Sequence, residues 1–106
     1  MTDEQKSTIE RNVVTVIKTV YDPEIPVNIY DLGLIYEITV SDEADVKVLM
    51  TLTSPNCPVA ESMPQEVHDK VSLVTNVRSV DVELTFEPPW DQDMLSEEAM
   101  LELGLL

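Results

Sequence analysis

An α+β (α/β) fold is predicted, a single small domain in the order α-β-β-α-β-α with two helices packed on one face of a small mixed sheet. Three observations predict it. Apolar residues recur at helical spacing in two separated segments, and they alternate at a period of two in three others. The apolar content is mainly aliphatic, valine above all, with Phe86 and Trp90 the only residues of their types, which suits strands packed on helices. The chain of 106 residues shows no internal repeat and no low-complexity linker, so residues 1–106 form one domain.

The first helix is expected from about Asp3 to Val20, with Ile9, Val13, Val16, Ile17 and Val20 in one stripe. Thr2 and Gln5 have the spacing of a capping box at its start. Asp22-Pro23 ends it, because a residue before proline disfavours the α region. DPEIPVNIYDLG, Asp22 to Gly33, then reads as a structured loop. Leu34 to Val40 alternates as a strand, Ser41 to Asp45 turns it, and Val46 to Thr53 returns as its antiparallel partner. Val46, Val48, Met50 and Leu52 share one face, and Leu49 marks partial cover on the other.

A second helix is expected over 58–74, striped by Val59, Met63, Val67, Val71 and Val74. Pro58 suits its first position, whereas Pro64 would delay or kink it. Val80, Val82, Leu84 and Phe86 alternate as a third strand, which Pro88-Pro89-Trp90 stops. Ser96 can cap a last helix, Glu97 to Leu103, that ends at Gly104.

The charge balance is 6 Lys plus Arg against 21 Asp plus Glu, a formal −15. Such a surface repels phosphates, so nucleic acid and anionic membranes are not expected partners, while a basic protein or a cation fits. The acids also serve simply to keep a small domain soluble. No apolar run approaches the ~18 residues of a membrane span. The polar start from Met1 to Lys6 lacks a signal-peptide core, and one cysteine cannot form an internal disulfide. A cytoplasmic location is expected.

Cys57 is the candidate reactive group. It stands at a strand end directly before a predicted helix start, where free N–H groups and the positive end of the helix dipole favour thiolate. The opposing reading is a buried, inert cysteine. Asp22 and Glu24, on the proline-stiffened DPEIP loop, could assist a metal site or receive thiol protons. Asp31 reads as a turn residue, and Gly33 as a position needing positive φ or a close backbone approach. Trp90 reads as a core cap or a partner contact. His68 is offset from the Val67–Val71 stripe and is expected on the surface. It lies three helical turns from Cys57, about 16 Å on one straight helix, too far for a Cys-His pair. Gly-rich phosphate loops, CxxC pairs and HExxH are absent, and one cysteine with one histidine cannot complete a zinc site without several carboxylates.

Three segments in this order, DPEIPVNIYDLGLIYEI (Asp22 to Ile38), TLTSPNCPVAESMPQEV (Thr51 to Val67) and FEPPWDQDMLSEEA (Phe86 to Ala99), carry a resemblance. The chain resembles the SufT/PaaD-like metal–sulfur cluster biosynthesis family, which includes eukaryotic cytosolic iron–sulfur targeting subunits. The resemblance implies an α/β fold and a role in maturing iron–sulfur proteins. Cys57 would be the reactive or ligating cysteine, with Asp22 and Glu24 at the family's acidic DPE positions and Gly33, Pro58 and Trp90 as structural motif residues. It implies as partners iron–sulfur assembly proteins, client apoproteins and an Mrp-type ATPase. Some members serve phenylacetate ring hydroxylation, and the chain is expected nearer the SUF-associated branch.

An iron–sulfur cluster usually takes four protein ligands, and one chain offers a single cysteine. The expected mode is therefore a transient share in a cluster through Cys57, at a homodimer or with a client, with none tightly bound. No catalysis is expected. The rivals are a metal-free adaptor that docks clients to the assembly machinery, a phenylacetate accessory protein, and a thiol enzyme that lacks a nearby base.

Overall fold

The computed structural model describes residues 2–22, 25–53 and 62–105. Helix α1 spans Asp3–Ile17, and its capping box forms as expected. Gln5 N donates to Thr2 Oγ1 at 3.1 Å, and Thr2 N donates to Gln5 Oε1 at 2.9 Å. The helix ends earlier than Asp22-Pro23 would dictate. Thr19 N reaches Val16 O and Val20 N reaches Ile17 O, tighter turns that unwind the α ladder. Val20 stays fully buried all the same, beside Ile9, Val13 and Ile17.

The loop that follows closes on itself. Tyr21 and Asn28 form an isolated antiparallel bridge, and Ile29 N donates to Val20 O at 2.9 Å. Val27, Ile29, Leu32 and Leu34 all enter the core, so this non-periodic stretch is as firmly packed as the helices.

Strands β1 (Ile35–Val40) and β2 (Asp45–Met50) form the expected antiparallel hairpin. A bulge between Ile35 and Glu37 inserts Tyr36 as an extra residue, which puts Ile35, Ile38 and Val40 on the core side despite their uneven spacing. Helix α2 spans Ser62–Ser72 with Met63, Val67 and Val71 buried. Residues 58–61 of the helix expected there lie outside the described residues. Pro64 is the third residue of Ser62–Ser72, and the buried stripe of Met63, Val67 and Val71 continues past it. The helix stops two residues before Val74, which packs into the core from a turn instead.

Strand β3 (Ser79–Leu84) pairs parallel to β2 in the order β1-β2-β3, so the sheet is mixed and α2 is the crossover. Helices α1 and α2 cover one face over Val46, Val48 and Met50. Glu37, Thr39, Lys47, Leu49 and Glu83 line a shallow cleft on the other face. After β3, a short 3₁₀ turn (Gln92–Met94) and helix α3 (Glu97–Glu102) complete the chain. Ser96 Oγ accepts from Ala99 N, and Gly104 at φ +75° closes a Schellman motif with Leu105 N on Met100 O. The sequence reading missed the 3₁₀ turn.

Candidate functional site

The three sequence motifs meet at one end of the sheet. Beyond β2, Thr51 is fully buried and its N–H donates to Leu34 O at 2.8 Å, which ties the central strand to the entry of β1. Thr85 N, just past β3, donates to Met50 O at 2.8 Å. From this junction the chain runs through Leu52 and Thr53 into the segment that carries Cys57 and Pro58, and it is described again at Ser62. Cys57, Pro58 and Glu24 themselves lie outside the described residues.

Asp22 is buried, and its Oδ1 accepts from Ile25 N at 3.1 Å. Its carboxylate thereby ties Asp22 to Ile25, three residues on. Asp31 is a turn residue as expected, though its partner is a side chain that the sequence reading did not single out. Asn28 Nδ2 donates to Asp31 Oδ2 at 2.7 Å, while Asp31 N donates to Asn28 Oδ1 at 2.9 Å. The signal was the Asn-x-x-Asp spacing, in which an amide side chain caps a single helical turn. Leu32 N on Asn28 O at 3.0 Å is the backbone bond of that turn.

The C-terminal motif grips the same turn through three successive residues. Asp31 O accepts from Ser96 N at 2.8 Å, and Leu32 O accepts from Trp90 Nε1 at 2.6 Å. Gly33 has φ +84°, and a Cβ on it would collide with the carbonyl oxygen of Met94 and approach Met94 Cβ to 2.8 Å. Both reasons expected for this glycine therefore apply together. Trp90 half-buries its ring against the core and spends its polar edge on the turn, which is the capping role. Tyr36, thrown out of register by the bulge, donates its hydroxyl to Pro88 O at 2.7 Å.

His68 stands apart from this end of the sheet. Its half-exposed ring lies on the surface as expected, with Nδ1 3.3 Å from Asp69 Oδ1. The Gln65 amide and the His68 ring together hold the Asp69 carboxyl below the usual carboxylate range.

These features define a small α+β domain whose cysteine-bearing crossover leaves the central strand beside two interlocked motif loops. A family model described as iron–sulfur cluster assembly protein matches residues 10–84, and the chain belongs to that family. It is 57% identical over 97 residues to an Fe-S protein maturation auxiliary factor of Porphyromonas gingivalis, covering 92% of each chain. It is 36% identical to the Fe-S protein maturation auxiliary factor SufT of Staphylococcus aureus, covering 81% of this chain and 98% of that one. Among solved structures, a domain of unknown function from Bacillus anthracis matches with TM-score 0.90 and 29% identity, covering 99% of this chain and 100% of that one. A conserved hypothetical protein from Thermotoga maritima matches with TM-score 0.77 and 37% identity, covering 90% and 93%. The family, the fold class and the role in iron–sulfur cluster maturation expected from the motifs all hold. Among the described residues, no helix is long and apolar enough to cross a membrane.

Proposed function

We propose that this protein is an auxiliary factor that passes iron–sulfur clusters to client apoproteins, with Cys57 as the sulfur that takes a temporary share in the cargo. The observation that supports this most is the convergence of all three motifs where the Cys57 segment leaves β2. The packed residues on either side, Leu52 and Met63, give that segment fixed points of departure and return.

The chemistry is ligand exchange. Cys57 loses its proton, its thiolate donates an electron pair to an iron of the cluster, and a client thiolate later replaces it. One thiolate leaves the cluster short of its usual four protein ligands, which favours release over storage. The remaining ligands come from a partner, either a second copy or the client. Asp22 and Glu24 serve as assisting carboxylates, Asp22 also through its bond to Ile25 N. The protein acts as a carrier and turns over no substrate, working with assembly proteins that include an Mrp-type ATPase.

Cys57→Ser and Cys57→Ala variants should fold normally, yet fail to restore iron–sulfur client activity in cells that lack the protein and its redundant factors. Anaerobic reconstitution with iron and sulfide should give a cluster absorption band in the wild type that the variants lack. Full rescue of client activity by Cys57→Ala would overturn the thiol mechanism and leave a metal-free adaptor.

A further inference from the structure

Strand β3 is an edge strand, and its backbone is oriented in a way that suits addition of another strand. In a parallel ladder, alternate residues of a strand turn their backbone groups to the neighbour. Thr85 N donates to Met50 O, so the odd-numbered residues of β3 face β2. The N–H and C=O groups of Val80, Val82 and Leu84 therefore point to the outer edge. Among the described residues, no strand pairs with that edge. Beside it runs a cleft of about 360 Å³ between α2 and β3, lined by Pro64, Gln65, His68, Val80, Asp81 and Val82.

The charges on this strand select the occupant. Asp81 and Glu83 are exposed on the side away from the helices, and Lys47 reaches Glu83 at 3.1 Å across the sheet. A second copy pairing antiparallel about Val82 would set Asp81 against Glu83, and like charges directly opposite oppose pairing. An incoming strand with lysine or arginine at those positions would instead meet complementary charge, in a chain that has 21 acids to 6 bases. The other face of such a strand would lay small apolar side chains on Val80 and Val82, along the cleft.

We infer that the outer edge of β3 is a docking site for an extended basic segment of a partner protein, added as a fourth strand. Its pattern is basic residues alternating with small apolar ones, so that backbone bonds supply affinity and the two faces supply selectivity. The inference is argued from β3 and α2 and stands without the thiol mechanism.

The test uses the full-length isotope-labelled protein and a short peptide of alternating valine and lysine. The amides of Val80, Val82 and Leu84 should shift and exchange more slowly with peptide present, while those of Asp81 and Glu83 gain no protection. Methylating alternate peptide nitrogens on the edge-facing side should abolish binding. Asp81→Lys should weaken the lysine peptide by about tenfold, a change of about 1.4 kcal/mol. Equal binding by the methylated peptide would show attraction to net charge alone and overturn the inference. So would an unchanged edge, or edge amides already protected in a species of doubled mass, which would show a second copy there.

Discussion

Trp90 Nε1 donates to the carbonyl oxygen of Leu32 at 2.6 Å, joining residues 58 apart in the sequence. Leu32 is fully buried, so its carbonyl has little recourse to water if the indole is lost. Trp90→Phe keeps an aromatic ring but removes the donor, and should cost about 1–3 kcal/mol. Urea titration should show a lower midpoint with an unchanged slope. Stability equal to wild type would mean that the bond contributes nothing net.

Two glycines at positive φ separate backbone strain from steric conflict. Gly104, at φ +75°, has open space where a Cβ would go, whereas Gly33, at φ +84°, faces Met94. Gly104→Ala should cost about 1–2 kcal/mol, the left-handed penalty alone. Gly33→Ala adds overpacking of about 1–3 kcal/mol and should unfold at a clearly lower temperature. Matching losses in the two variants would show that Met94 yields freely.

Asn28 serves the carboxylate of Asp31 and its backbone N–H at once. Asn28→Ala strands both groups of a residue that is only 9% exposed, and should destabilise by about 1–3 kcal/mol. In a double-mutant cycle, Asp31→Ala should recover part of that loss. Strict additivity of the two substitutions would show that their side chains are not coupled.

Lys6 Nζ lies 2.7 Å from Asp42 Oδ1, joining α1 to the β1–β2 turn. The hydrogen bond and charge of Lys6 lower the Asp42 carboxyl, and those of Asp42 raise the Lys6 ammonium. The lowered carboxylate favours the fold above its unfolded value near pH 4, and that contribution fades as pH falls through the lower folded value. The raised ammonium contributes below about pH 10.4 and fades as pH rises through its higher folded value. Both groups are solvent-exposed, so the effect on stability is small and salt should diminish it. An NMR titration should find the Asp42 midpoint below the usual range, returning toward it in Lys6→Gln. An identical midpoint in that variant would discount the pair.

Most of the fold was legible where local rules and tertiary packing agree. Thr2 and Gln5 declared the first cap, Ile9, Val13 and Ile17 the first stripe, and Val46, Val48 and Met50 the buried face of β2. The end of α1 was misjudged because Val20 keeps its place in the core after the helical hydrogen bonds have changed. The bulge at Tyr36 was not foreseen, because Leu34 to Val40 was read as a simple alternation and one inserted residue has no signature of its own. At the candidate site, Gly33 and Trp90 could be singled out as unusual residues in unusual places. Their partners, Met94 and Leu32, were invisible, since pairings across more than half the chain obey no local pattern. Cys57, Pro58 and Glu24 lie outside the described residues, so the roles expected for them rest on the sequence motifs alone.

The grip of the C-terminal segment on residues 31–33 orders events during synthesis. The β1–β2 hairpin can form as soon as Met50 is free of the ribosome, because its contacts are local. Addition of β3 must wait for Leu84, and the turn at Leu32 is not fastened until Trp90, Met94 and Ser96 have emerged. The cysteine is therefore translated well before the turn at Leu32 is fastened, and a nascent chain halted after Leu84 would carry that thiol with the turn still open.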